Sequence, residues 1–200
     1  SFAFALPFGA LVAVMRTSTF APLRALGATI VEAIRNVPLL AHLLFWYFAF
    51  PELLPERLRE VLYANNPEVV CAVIALTLYA GVHMAEDIRS GIRAVPATQL
   101  EAARSLGLGR AAAVRLVLLP QALRASVPPL LSQTVNLWKD TSVATVIGAA
   151  ELMYQAARVE TASFRSLEAF TFATLAYLTV SLAISAAAHL YQRRYPVRTA

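Results

Sequence analysis

The sequence predicts an all-α, polytopic membrane protein of about five transmembrane helices, with a cytoplasmic loop of short helices between the third and the fourth. Three observations predict it. Hydrophobic residues make up 58% of the 200 and charged residues only 14%, where soluble domains carry about 25% charged residues. The apolar residues fall in blocks rather than evenly, with a mean hydropathy of +0.61, which is the membrane signature. The arginines gather in alternate connections between the blocks. The length fits one domain, residues 1–200.

The first block, Ser1 to Met15, reads SFAFALPFGALVAVM. At 1.5 Å per residue it reaches about 22 Å, short of the roughly 30 Å hydrocarbon core, so it reads as a span whose start is truncated. No basic start and cleavage site of a signal peptide is seen. The second block runs from about Gly27 to Phe50, contains Glu32 and Arg35, and should kink at Pro38. The polar loop Pro51 to Pro67 offers Leu53, Leu54, Leu58, Val61 and Leu62 as the apolar side of a short amphipathic helix at the membrane interface. The third span begins near Glu68, is uncharged from Val69 to Ala85, and turns polar at Glu86, Asp87 and Arg89. A fourth helix, about Leu119 to Trp138, is expected to break at Pro128-Pro129. It carries Ser132, Gln133, Thr134 and Asn136, too many polar groups for a lipid-facing helix. Thr141 to Ala150 is a short apolar piece, expected as a re-entrant or surface helix. The last span, Ala169 to Leu190, has no charge.

Charge sets the orientation. Arg16, Arg24, Arg89, Arg93, Arg104, Arg110, Arg115, Arg124, Arg193, Arg194 and Arg198 fall on one side. Arg57, Arg59, Lys139, Arg158 and Arg165 fall on the other. The richer side is cytoplasmic by the positive-inside rule, which puts the amino terminus outside and the carboxyl terminus inside. The formal charge of +5 then reflects loops facing anionic lipid, and no nucleic-acid motif accompanies it. Cys71 lies in an apolar run and reads as packing. His42, His83 and His189 have no metal-ligand spacing and read as helix-packing or interface residues.

The central loop, residues 94–120, ends in EAARSLGLGRAAAVRLVLLP. It reads as two short helices. Thr98 and Glu101 have capping-box spacing, Glu101 to Leu106 is strong helix former, and Gly107 and Gly109 can turn the chain. Arg110 to Leu118 forms the second helix. Ala102 and Ala103 leave a nearly flat face against which another surface can come close. On these residues alone, a partner protein and the lipid headgroups are equal readings.

That string resembles the EAA loop of bacterial ABC-transporter permeases: Glu101-Ala102-Ala103, then Gly107, then Val117-Leu118-Leu119-Pro120, with Val117 where the motif has Ile. The segment Arg35 to Leu40 is similar to the Arg-Gly-Thr-Pro-Leu-Leu of the polar amino-acid permeases, with Asn36-Val37 in place of Gly-Thr. The likeness extends over nearly the whole chain. It implies a binding-protein-dependent import permease of the bacterial inner membrane, multi-pass and not itself an enzyme. Its implied partners are a second permease subunit, identical or related, two ATPase subunits and an extracytoplasmic amino-acid-binding protein. ATP and Mg would sit on the ATPases; this chain has no GxxxxGK[ST] loop and needs no cofactor or metal of its own. The implied coupling helix would dock into the ATPase through Glu101, Ala102, Ala103, Arg104 and Gly107. Glutamate or aspartate is the favoured cargo. The alternatives are a basic amino acid or an opine, or a channel or scaffold without an ATPase.

Each candidate has a plainer reading beside it. Glu101 can grip the ATPase or close the capping box. Gly107 reads as the turn that positions the docking helix, and Arg104, like Arg110, can meet the ATPase or lipid phosphate. Arg35 can attract a substrate carboxylate, pair with Glu32, or snorkel. Asn136, Lys139, Asp140 and Thr141 can receive substrate or form an exposed loop with a helix cap. Gln133 and Ser132 can line the path or bond between helices.

Overall fold

The computed structural model describes residues 1–194, and every regular element among them is helical. Arg198, counted above in the orientation, lies outside the described residues. Helix α1 (Phe2–Thr17) is followed by α2 (Ala21–Arg35), which starts with proline in its first turn. The chain then breaks. Val37 precedes Pro38 and is pushed out of the helical region, and Pro38 has no N–H to continue the ladder. The Asn36 amide closes the end by donating to the Glu32 carbonyl and carboxylate, both at 2.9 Å. What resumes is α3 (Leu39–Leu44), a π turn (Phe45–Ala49) and a 3-10 turn (Phe50–Leu53), lying at 99° to α2. The expected gentle kink in one span is therefore a right-angled bend.

Helix α4 (Glu56–Ala64) occupies the polar loop, although Leu53 and Leu54 of its expected apolar side precede it. Helix α5 (Pro67–Arg93) follows directly, its entry set by Asn66 at φ 51°. Next come α6 (Ala97–Ser105) and α7 (Arg110–Ala113). The second short helix does not stop at Leu118 as expected. A π turn (Val114–Leu118) carries α7 directly into α8 (Leu119–Asp140). Pro120 explains the π turn: its ring would press on the carbonyl of Leu116 four residues back, and the wider turn makes room. The expected break at Pro128-Pro129 is absent too. Helix α8 runs through both prolines, at the cost of two ladder hydrogen bonds. Packed neighbours and hydroxyls commonly compensate such losses in membrane helices. The carbonyls left without those donors are those of Arg124 and Ala125; the Ser132 hydroxyl donates to a different one, of Pro128, at 3.4 Å. A 3-10 helix (Thr141–Ile147), α9 (Leu152–Ser163) and α10 (Ser166–Arg194) complete the chain.

Helix α5 is the centre of the bundle. It meets α1 where two glycines face each other: a Cβ on Gly9 would lie 2.6 Å from the Gly81 carbonyl oxygen. It meets α8 at Gly91, where a Cβ would lie 2.0 Å from Ser126 Oγ. Two core clusters pack against α5, Ala5, Leu76, Ala80, Met84 and Leu137 in one and Val12, Ala13, Val31, Val82 and Ala85 in the other. Glu86 of α5 ties in the end of α1, with Arg16 at 3.3 Å and Arg89 at 2.5 Å. Cys71 is buried, as its apolar setting predicts. The 3-10 helix Thr141–Ile147 is not a surface element. Its Ala144 and Ile147 are buried against Leu43, Ala72 and Ala75.

Two helices, α5 and α10, are long and apolar enough to cross a membrane, and the bent pair makes a third. The other two of the five expected spans fall short for different reasons. Helix α1 has only 16 residues, and α8 carries Arg124, Ser132, Gln133, Thr134, Asn136, Lys139 and Asp140, which lower its hydropathy. Of the most apolar 18-residue window of α10, 6% is buried, against 50% in α5.

Candidate functional site

Two places gather the residues singled out in the sequence. The first is the loop around α6. The helix begins at Ala97, after Pro96, so Thr98 lies inside it, and no side chain caps its start. The capping box is therefore not formed. Among the described residues the Glu101 carboxylate has no hydrogen bond or ion pair, and only the Glu101 carbonyl accepts, from Ser105 Oγ at 3.1 Å. Glu101, Ala102, Arg104 and Gly107 are exposed, whereas Ala103 is buried at 4% exposure. Ala103 thus packs α6 onto its own loop, and the flat face available to a partner is that of Ala102. The end of α6 is a Schellman turn. The Leu108 N–H donates to the Ala103 carbonyl at 3.1 Å and the Gly107 N–H to the Arg104 carbonyl at 2.9 Å. Gly107 makes this possible at φ 84°, a left-handed conformation that favours glycine. The turn holds Leu106 out at 84% exposure, an apolar side chain that the sequence reading passed over.

The second place is a polar cleft of about 370 Å³ between α5 and α8. Helix α8 supplies Gln133, Asn136, Lys139 and Asp140, and α5 supplies Tyr79 and His83. Gln133, Asn136 and Asp140 recur at three- and four-residue spacing and share one face, with Lys139 beside Asp140 at its edge. Tyr79 and His83 do the same one turn apart. Their rings are 4.9 Å apart, and His42 from the bent segment stands 6.0 Å from Tyr79. His42 Nε2 is 2.9 Å from the Ile34 carbonyl, which anchors this aromatic row at the bend. His83 Nε2 is buried and has no hydrogen-bond partner. The cleft thus sets an ammonium, a carboxylate, two carboxamides, an imidazole and a phenol around one small volume. Tyr79 and His83 escaped the sequence reading as path residues. The signal was there in their i, i+4 spacing, but a lone histidine in an apolar run reads first as packing.

Two candidates stand elsewhere. Thr141 donates to the Trp138 carbonyl at 2.7 Å and lines a separate, mostly apolar hollow with Thr134, Leu137 and Trp138. Arg35 is exposed at the last position of α2. Its expected pair with Glu32 is not formed, because Asn36 takes that carboxylate. Arg35 acts instead through space on His83, Glu86 and Asp87. Among the described residues, no three His, Cys, Asp or Glu side chains come together to hold a metal.

A third cluster was not anticipated. Glu151 caps α9, accepting from the Met153 N–H at 2.8 Å and the Tyr154 N–H at 2.7 Å. It also accepts from the Tyr177 hydroxyl at 2.5 Å and from Thr145. One carboxylate thereby joins the 3-10 helix, α9 and α10 behind the cleft.

The model of the binding-protein-dependent transport system inner membrane component family matches residues 5–196. The probable glutamine ABC transporter permease protein GlnM of Bacillus subtilis is 37% identical over 186 residues, covering 93% of this chain and 82% of that protein. The glutamate/aspartate import permease protein GltJ of Escherichia coli K12 is 34% identical over 190 residues, covering 93% and 77%. A crystal structure of an amino acid ABC transporter with histidines superposes at a TM-score of 0.86 with 31% identity, covering 96% of this chain and 86% of that one. The MetNI methionine ABC transporter shares the fold, at a TM-score of 0.74 and 22% identity. The chain belongs to the binding-protein-dependent transport system inner membrane component family, the permeases of ABC transporters.

Proposed function

We propose that this chain is a permease subunit of an ATP-driven importer of polar amino acids, and that the cleft between α5 and α8 holds the amino acid in passage. The observation that carries the reading is that Lys139 and Asp140, adjacent in α8, both line a small polar cleft. An α-amino acid is a zwitterion. Lys139 would meet its carboxylate, Asp140 its ammonium, and Gln133, Asn136 and His83 its side chain. The relatives named for glutamine and for glutamate/aspartate support this cargo class, with glutamate or aspartate favoured. Arg35 would draw a carboxylate along the path from outside the cleft. Thr141 supports the cleft from behind. Basic amino acids or opines are the rival cargo.

The rest of the machine follows from family membership. The permease would pair with a second copy or a related chain. Two ATPase subunits, which hold ATP and Mg, would receive α6 through Glu101, Ala102, Arg104 and Gly107. Ala103 would serve by seating the helix. An extracytoplasmic binding protein would load the cleft, and the helices would alternate access by rocking. Loop 94–120 then faces the cytoplasm and Lys139 lies toward the opposite side.

Uptake by the assembled transporter in proteoliposomes tests the proposal. Glutamate, aspartate, glutamine, arginine and an opine would be offered with the partner binding protein present. ATP-dependent uptake of an acidic amino acid or its amide, reduced about tenfold by Lys139→Ala, is the expected result, since losing a contact of about 1.4 kcal/mol to the cargo carboxylate is tenfold. Uptake that proceeds equally without ATP would reject the coupled importer. Unchanged kinetics in Lys139→Ala and Asp140→Asn would remove the cleft from the path.

A further inference from the structure

Helix α4 has an apolar face that the bundle covers only in part. Placed at 100° per residue, Leu58, Val61 and Leu62 share one face. Arg57 and Arg59 stand about 100° to either side of Leu58, and Glu56 and Glu60 lie near the opposite pole. Leu62 turns into the bundle, at 9% exposure. Leu58 and Val61 do not, at 56% and 60%. Leu53, just before the helix, is 72% exposed, and Phe48 in the preceding turn 63%, so the bare apolar surface continues into the bent segment.

The connections limit where this face can be. Only Leu54 and Pro55 separate α4 from the bent segment, and only Asn65 and Asn66 separate it from α5. Each link spans at most about 10 Å at full extension. Helix α5 is long and apolar enough to cross a membrane by itself, and the bent segment is so together with α2, so α4 is held at both ends beside the bilayer. Its charges suit that position. Arg57, next to Val61 around the helix, has no ion pair or hydrogen bond among the described residues. Arg59 is already held by Glu52 at 3.1 Å. Three carboxylates, Glu52, Glu56 and Glu60, outnumber these two arginines, so anionic lipid is not what draws the segment in.

We infer that α4 lies in the plane of the membrane, with Leu58 and Val61 among the acyl chains, Arg57 at the phosphates and Glu56 and Glu60 in water. The occupant of the bare face is phospholipid, and it need not be acidic. Lipid here fixes the hinge between the bent segment and α5, two elements that otherwise meet around Leu43, Ala72 and Ala75.

Nitroxide scanning of the intact protein in its assembled transporter tests this. Single labels are placed by Glu56→Cys, Leu58→Cys, Glu60→Cys and Val61→Cys, with Cys71 left in place because it is buried at 1% exposure. Vesicles are phosphatidylcholine alone or with phosphatidylglycerol. Labels at 58 and 61 should collide more with oxygen than with a nickel chelate, and labels at 56 and 60 the reverse, alike in both vesicles. Nickel-dominated collisions at all four positions would place the helix in water and overturn the inference. Loss of both kinds of collision at 58 and 61 would show a protein partner on the face instead. Oxygen-dominated collisions only with phosphatidylglycerol would make charge the cause. If the Leu58 variant fails to assemble, the Val61 and Glu60 pair decides the same question.

Discussion

Single side chains here divide by what surrounds them, and glycines show it most directly. Gly91→Ala would place a methyl 2.0 Å from Ser126 Oγ and 2.8 Å from the Ala122 carbonyl. Backbone cannot rotate away, so α5 and α8 must separate. The expected cost is about 1–3 kcal/mol, read as a lower midpoint of thermal unfolding in detergent. Gly109→Ala meets nothing within 4 Å and should leave that midpoint unchanged, provided its exposed position only caps α7. Gly107 is a third case. Its surroundings are empty, yet φ 84° costs any other residue about 1–2 kcal/mol. Gly107→Val should fold, lose the Schellman turn and lower co-purification of the ATPase subunits. Gly107→Asn, which tolerates this conformation better, should retain more. Full association and uptake in Gly107→Pro would sink the docking role. The residue scale was also only partly legible. Gln133, Asn136, Lys139 and Asp140, each noted in the sequence, line one cleft. Glu101 does not form the expected cap, because Pro96 starts α6 one residue before Thr98 and leaves that hydroxyl no free end to serve.

At the scale of elements, prolines decide most of what the sequence reading missed. Both π turns end two residues before a proline, Pro51 in one case and Pro120 in the other. In each, the carbonyl that the ring would strike, of Tyr47 or Leu116, lies inside the π turn. In each, a widened turn lets the helical path run on to the proline. Pro128-Pro129 passes without a π turn, and the structure gives no local reason beyond the packing of α8 against α5. Glu151 organises elements on the other side. Glu151→Ala removes the cap of α9 and leaves the Tyr177 hydroxyl without its carboxylate, an expected loss of about 1–3 kcal/mol. Hydrogen exchange should quicken first in Leu152–Ser163 and leave α5 protected. Uniform exchange across the bundle would contradict this local role. Glu151 was invisible in the sequence because its partners, Thr145 and Tyr177, come from different elements.

For the whole molecule, the sequence made the class and the family plain. Blocks of apolar residues and a 20-residue motif with fixed gaps are both local patterns. The number of membrane-crossing helices was less plain, since hydropathy alone cannot tell a polar helix packed inside a bundle from a loop. Helix α8 is the example: Gln133, Asn136, Lys139 and Asp140 line the cleft, and of its polar side chains Ser126 is the buried one among the described residues. Orientation is tested at this scale. The arginine bias predicts that a cysteine replacing Lys139 reacts with an impermeant thiol reagent only from outside the cell, and one replacing Arg104 only from the cytoplasm. The opposite pattern would invert the topology. Arg35→Ala, outside the cleft, should weaken uptake less than Lys139→Ala at equal expression. A larger loss would move the principal carboxylate site to the bend.

The π turn at Val114–Leu118 has one more consequence. It makes α7 and α8 a single rod of roughly 30 residues, about 45 Å long, with Gly109 at one end and Lys139-Asp140 at the other. A rod transmits thrust along its axis without loss, but it twists at its widest turn. Removing the extra residue of that turn into regular geometry would rotate everything beyond it by about 100°. Lys139 and Asp140 would then turn away from Tyr79 and His83 with no helix having to slide.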